Sequence, residues 1–343
     1  MAQILGAVGY STTLVGMQHL IDRGSARELG YDSVLPVAPA YEEADATLAV
    51  LRDLAEASSP FYVEVGFEEP HRPYDFGGAQ PDTSRGVAVP GYLPDIAEAR
   101  QDLAAFQGAI RQMDAAVGRI LAGLDDLGLA ESTCVIFATD HGAAMPRAKC
   151  TLYDAGIEVA LLWRWPSAGV RGGRAVEALV SNVDVTPSLL EGLGISRPGR
   201  MHGRSFWPLL QHVSYTPRTE VFAEKTFHTY YEPMRAIRTD RHKLIVNFEV
   251  STRVDVPSDI RESPVYPLML SQFDQVRPAV ELYDLHTDPW EQHNLASSEA
   301  HTTVESDLRT RLLTWMQQTD DPLLVGPVHS PYYTDSVRWL TRA

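Results

Sequence analysis

The sequence predicts an α/β fold, with a doubly wound, mostly parallel sheet and a smaller C-terminal antiparallel sheet plus helix. Three observations carry this expectation. First, short apolar runs bounded by polar residues, such as Cys134-Val135-Ile136-Phe137-Ala138-Thr139, read as interior strands of a parallel sheet. Second, such runs alternate with amphipathic helical stretches, as connected parallel strands require. Third, from about Val213 the pattern changes to closely spaced short strands. The expected division is an α/β domain over 1–212 and an α+β subdomain over 213–343.

The elements follow in order. Ser11-Thr12-Thr13-Leu14-Val15-Gly16 reads as a strand running into Met17-Gln18-His19. A helix is expected from about Tyr41 to Ala57, with Leu48, Leu51 and Leu54 on its apolar face. Pro60 to Phe67 is aromatic and β-branched and reads as a strand. It enters Glu68-Glu69-Pro70-His71-Arg72-Pro73-Tyr74, where two prolines stiffen the loop carrying His71 and Arg72. The Pro- and Gly-rich stretch from Pro70 to Pro94 is a long surface loop, of a length that is often functional or mobile. Asp95 opens a strong helix, with Glu98 completing an Asp variant of the capping box. Its stripe includes Ile96, Leu103, Phe106, Ile110, Met113 and Leu124, and Gly128 ends it.

After the Cys134 strand come Asp140-His141-Gly142 and a loop to Lys149. Gly142 here reads either as an ordinary turn glycine supplying φ freedom or as part of a site. A strand is expected over Val159–Trp165, another apolar run over Ala178–Val183, and a helix starting at Thr186-Pro187. Val221–Ala223, Met234–Arg238 and Lys243–Phe248 read as antiparallel strands, the last two joined across Thr239-Asp240-Arg241. A final helix carries Val304, Leu308, Leu312 and Trp315.

Composition narrows the function classes. The net charge of -16 argues against nucleic acid as a partner, since phosphate contacts need clustered Lys and Arg. Two cysteines do not make a disulfide framework. No run approaches the length of a membrane span. The first twenty or so residues lack the basic start and apolar core of a signal peptide, which makes the cytoplasm the default compartment. A signal encoded upstream would change that to export. Asp75, Asp125-Asp126 and Asp320-Asp321 read as solvated turns and helix ends.

Three expected strands each end in a loop bearing a histidine: His19, His71 and His141. In open α/β sheets ligands bind beyond the carboxyl ends of the strands. Asp140, His141 and Lys149 delivered there would suit a metal ion and an anion held together. Arg72 reads either as a reader of a substrate acid or as a solvated surface arginine. His228, in Thr226-Phe227-His228-Thr229-Tyr230-Tyr231, reads either as a surface histidine or as a second-domain residue entering the pocket.

These residues resemble the sulfatase family, within the alkaline-phosphatase-like superfamily. The segment Val135 to Gly142, followed by Lys149, Tyr153, Gly156 and Trp163-Arg164-Trp165-Pro166, is similar to that family's metal-and-sulfate segment. Gly9-Tyr10 through His19-Leu20 and Pro70-His71-Arg72-Pro73 look like its earlier motifs. Gly203-Arg204-Ser205-Phe206 and Glu281-Leu282-Tyr283-Asp284-Leu285, with Asp288-Pro289, Glu291 and Asn294-Leu295, look like its later ones. The stretch from Tyr231 to Leu244 looks nearest to heparan N-sulfatase-like members.

The resemblance implies hydrolysis of sulfate esters or sulfamates, with a sulfated sugar as substrate. It implies Ca²⁺ or another divalent cation bound by Asp140 and His141, and Lys149 holding the sulfate. It implies His71 bonding the sulfate or protonating the leaving group, and His19 deprotonating a formylglycine hydrate. Two parts of the family pattern are missing from the sequence. The aspartate pair on the first strand is one, and the Cys- or Ser-containing formylglycine motif is the other. Neither Cys134 nor Cys150 lies in a Cys-x-Pro-x-Arg setting, and Met17 stands where the family has a lysine. The expectation is an N-terminally truncated chain, inactive as given. The alternatives are a phosphodiesterase or phosphonate hydrolase of the same superfamily, and a non-catalytic anion-binding remnant.

Overall fold

A computed structural model describes residues 1–21, 23–249 and 254–342. β1 (Ser11–Gly16) lies between β2 (Ser33–Leu35) and β3 (Phe61–Gly66), all parallel. β1 is the enclosed strand: Leu14 and Val15 are fully buried. In register, Gly16 sits opposite Gly66. The loops carrying His19 and His71 therefore leave the same, carboxyl end of this sheet, although β2 was not legible as a strand.

The expected single parallel sheet is replaced by two pieces. β4 (Val135–Ala138) pairs with β5 (Leu161–Arg164), and the pairing is antiparallel. The physical reason lies in the segment between them. Backbone bonds continue past the ladder, from Thr139 N to Ala160 O (3.1 Å), Gly142 N to Gly156 O (2.9 Å) and Ala143 N to Ala155 O (3.2 Å). The chain thus folds back on itself without the helical crossover that parallel strands need. Lys149 rides near the tip of this excursion. Gly142 serves close approach here, because a Cβ on it would meet Ala155 O at 2.0 Å.

Two helices cover this half. α1 (Ala40–Glu56) packs on α2 (Ala97–Asp126). α2 starts after Ile96, and Asp95 pairs with Arg100 at 2.7 Å instead of capping. Its buried face includes Leu103 and Met113 but is otherwise built of small residues such as Ala99, Ala109 and Ala116, and Ile110 is exposed. Small residues are needed because the loop after Pro70 lies directly on the helix. Asp82 N donates to Ala104 O at 2.8 Å, and a Cβ on Gly108 would meet Gln80 O at 1.9 Å. The run Ala178–Val183 forms no strand. Its end turns into α3 (Val185–Gly192), with Ser181 N donating to the Asp184 carboxylate at 3.1 Å.

The C-terminal half is an antiparallel sheet in chain order: β6 (Glu220–Phe227), β7 (Tyr231–Thr239), β8 (His242–Asn247) and β9 (Val280–Asp284). α4 (Ser258–Arg261) lies between β8 and β9. α5 (Thr302–Gln318) covers the sheet, setting Leu308, Leu312 and Met316 against Ile237, Leu244 and Leu282. It is not the last helix, since α6 (Pro331–Thr341) follows. Asp321, expected in solvent, is buried and bonds Arg235 Nε at 2.5 Å. Lys243, fully buried on β8, pairs with Asp154 at 2.5 Å and Glu291 at 2.8 Å, locking the Lys149 segment to this sheet. Among the described residues no helix is long and apolar enough to cross a membrane.

Beneath the carboxyl ends of β1 and β3, Glu43 is buried, and its carboxyl accepts from Ala38 N at 3.0 Å. Burial pushes that carboxyl up to about 7; Glu69 and Glu68 add to the shift, and the Ala38 N–H opposes it. The folded state therefore favours the protonated acid more than the unfolded chain does. Its stabilisation is complete below the ordinary value of 4.5 and is lost as pH rises through about 7. Glu43→Gln should flatten the stability-versus-pH curve across that window and leave the variant more stable than wild type at pH ~8. Urea unfolding across the window checks this, and an unchanged slope would count against it.

Candidate functional site

The Pro70-His71-Arg72-Pro73 loop sends its two basic side chains in opposite directions. Arg72 turns inward. Its two terminal nitrogens grip Asp102 of α2 at 2.8 and 2.5 Å, and both side chains are almost wholly buried. The guanidinium also lies over the Tyr74 ring, 4.1 Å from its centroid. Ser263 Oγ donates to the same Asp102 carboxylate at 2.7 Å. Arg72 is thus neither solvated nor free to read a substrate acid. It fastens the loop to α2 and to the segment after α4.

His71 faces the opposite way and meets Lys149. The Lys149 ammonium lies 2.9 Å from His71 Nε2, while His71 Nδ1 lies 2.6 Å from Arg72 O. The carbonyl can only accept and the ammonium only donate, so these contacts assign the neutral Nδ1–H tautomer. A third group completes the cluster. Asp259 of α4 accepts from Lys149 at 2.7 Å and lies 3.4 Å from His71 Nε2. Burial works to raise the Asp259 carboxyl, but the Lys149 ammonium and the Ile260 N–H outweigh it and hold the carboxyl below its ordinary value.

A second charged group adjoins the first. Lys225 of β6 reaches Glu232 at 2.6 Å, Asp255 at 3.1 Å and Cys150 O at 3.2 Å. His228 follows on the β6–β7 turn and is exposed. Partial desolvation holds its imidazole below the usual value, and its charged form is sensitive to Asp255, Lys225, Lys149 and Asp259. The second subdomain therefore contributes Lys225, His228, Asp255 and Asp259 around the His71–Lys149 pair. Of these only His228 was singled out by sequence.

The remaining candidates make no hydrogen bond or ion pair with this cluster among the described residues. Asp140 follows β4 with its side chain 88% exposed, and its carboxylate accepts from the His141 N–H at 2.9 Å. His141 Nδ1 lies 2.7 Å from Gly142 O, leaving Nε2 as the available lone pair. His19 is exposed beyond β1. Among the described residues no hydrogen bond or ion pair joins His19, Asp140 or His141 to the His71–Lys149 pair. A Ca²⁺ ion takes six to eight oxygen ligands. Asp140 and His141 offer one carboxylate and one nitrogen, and among the described residues no group of three or more His, Cys, Asp or Glu side chains is placed to hold a metal ion. The described residues do not by themselves fit a calcium centre. Neither thiol is set up as a nucleophile: burial pushes Cys134 up to about 12 and Cys150 up to about 11.

Comparison with known proteins places these residues in context. Residues 1–195 match the family model described as Sulfatase, and residues 147–265 match that of the N-sulphoglucosamine sulphohydrolase C-terminal region. Human N-sulphoglucosamine sulphohydrolase is 28% identical, over 94% of this chain and 74% of its own length. An ulvan-active sulfatase of Formosa agariphila is 30% identical, over 68% of this chain. The match spans only 41% of that relative's length. A solved 2-O glycosaminoglycan sulfatase shares the fold, with a TM-score of 0.69 at 21% identity, covering 95% of this chain and 76% of its own.

Removing Arg72 would leave a carboxylate buried without its cation, a loss that typically costs about 3–5 kcal/mol. Arg72→Met should therefore lower the urea midpoint strongly. Replacing Arg72 and Asp102 together by Met and Leu should recover much of the difference. A double variant as unstable as the single would show that the pair is not the source of the effect.

Proposed function

Because the chain belongs to the sulfatase family, we propose that the His71–Lys149 cleft receives the sulfuryl group of a sulfated sugar. The observation that carries this reading is the Lys149 ammonium, held 2.9 Å from an imidazole at the mouth of the first sheet. A lysine binds a sulfuryl oxygen as a point charge. The adjacent imidazole is placed to exchange a proton with the leaving oxygen or nitrogen once Lys149 engages the ligand. The exposed His228 is the second-subdomain residue suited to meet the sugar. The resemblance to an N-sulphoglucosamine sulphohydrolase and to an ulvan-active sulfatase supports a glycan over a small aryl ester.

The same residues set a limit on chemistry. Sulfuryl transfer needs a nucleophile, and the two thiols are disfavoured by burial. The reading is therefore of a chain whose residues 1–343 bind and orient the sulfate without cleaving it.

Two outcomes are expected. Lys149→Met should weaken binding of N-sulfated glucosamine by roughly tenfold or more, as expected for loss of a charge-assisted hydrogen bond. Calorimetric titration measures this, and unchanged affinity would remove Lys149 from the site. Purified residues 1–343 should release no measurable product from an aryl sulfate, since loss of a nucleophile costs orders of magnitude in rate. Turnover that disappears in His71→Ala would show that another group attacks.

A further inference from the structure

The Lys149 charge is already matched. Its ammonium donates to Asp259 at 2.7 Å and lies 2.9 Å from His71 Nε2, and Asp259 itself is 3.4 Å from that nitrogen. One carboxylate oxygen thus lies against the Lys149 ammonium that would hold a sulfuryl oxygen, and beside His71 Nε2. Lys149 is 7% exposed and Asp259 14% exposed, so little water screens the pair. The neighbouring cation offers no spare charge, because Lys225 is matched by Glu232 and Asp255.

Asp259 is also fixed from behind. The next residue, Ile260, is buried in the core formed with Val256, Val265, Tyr74 and Tyr92. Its helix is held by that core and by Ser263, whose hydroxyl bonds Asp102. A bare anion entering the cleft would meet a carboxylate at close range with no new donor to compensate it. A ligand that brings both an anionic oxygen and an O–H or N–H donor would satisfy Lys149 with the first and Asp259 with the second.

We infer that Asp259 acts as an internal anion, holding the place of a sulfuryl oxygen on Lys149, beside His71. It thereby selects sulfated sugars with a hydroxyl or amine donor beside the sulfate over bare anions. This inference rests on the proposed sulfuryl-binding role of Lys149 and adds a specificity-determining residue to it. No sequence motif marks Asp259.

Calorimetric titration of inorganic sulfate and of N-sulfated glucosamine into wild type and Asp259→Asn tests it. The asparagine keeps the size and the acceptor oxygen but removes the charge. Asp259→Asn should bind inorganic sulfate at least tenfold more tightly than wild type, and the preference for the sugar should shrink. Adding Lys149→Met to that variant should abolish the gain. Thermal unfolding confirms that each variant is folded, and Asp259→Ser replaces the asparagine if it is not. Sulfate binding by the variant that is equal to or weaker than wild type overturns the internal-anion role and leaves the Lys149 site standing. Absence of sulfate binding in both folded proteins overturns the two together.

Discussion

The buried Arg72–Asp102 pair is the contact on which the arrangement of the cleft depends. Three segments distant in sequence meet there: the loop after β3, the long helix α2 and the turn after α4 that brings Ser263. Buried pairs contribute little net stability over a well-packed apolar substitute, but breaking one is costly. Their value here is positional. With Arg72 turned inward, the same loop must present His71 outward. With Ser263 on Asp102, α4 is held where Asp259 can reach Lys149. One ion pair thus sets the relative placement of two functional side chains, His71 and Asp259, that it does not touch.

A second lock acts from the other side. Lys149 lies near the tip of the long return between β4 and β5, a placement that by itself would leave it mobile. Arg147, two residues earlier, donates to Trp290 O at 2.8 Å and lies over the Tyr153 ring. Asp154, five residues later, is held by Lys243 and Arg238. The tip is pinned on both flanks to the C-terminal sheet. The cleft therefore belongs to neither half of the chain alone. Its imidazole comes from the first sheet, its cation from the hairpin-like return, and its acids from the segment between β8 and β9.

Much of this was legible because the signals were local. β1, β3, β4, both long helices and the β7–β8 hairpin follow from periodicity and from turn residues. The motif residues His71 and Lys149 were visible through their strand-end positions. What sequence could not supply were properties set by distant partners. Arg72 reads as a substrate-acid reader or a solvated arginine until Asp102, thirty residues on, is seen beside it. Asp321 reads as a turn acid until Arg235 is placed against it. Asp259 sits in a polar stretch without periodicity, and only the tertiary fold gives it a role. The direction of β5 was misread because an apolar strand looks the same in either orientation; the antiparallel ladder from Val135–Arg164 to Ala138–Leu161 decides it.

The chain contains only three lysines, Lys149, Lys225 and Lys243, and every one is buried and ion-paired. Its surface cations are arginines. Side-chain amines are thus scarce on the outside of the native molecule, and an acylating reagent too large to enter the cleft reaches the lysines only as the fold opens. Each lysine also sits at a different junction: one in the cleft, one where β6 meets the cleft wall, one at the lock between the halves. The order in which the three become acylated would report which junction opens first, a built-in set of probes requiring no introduced label.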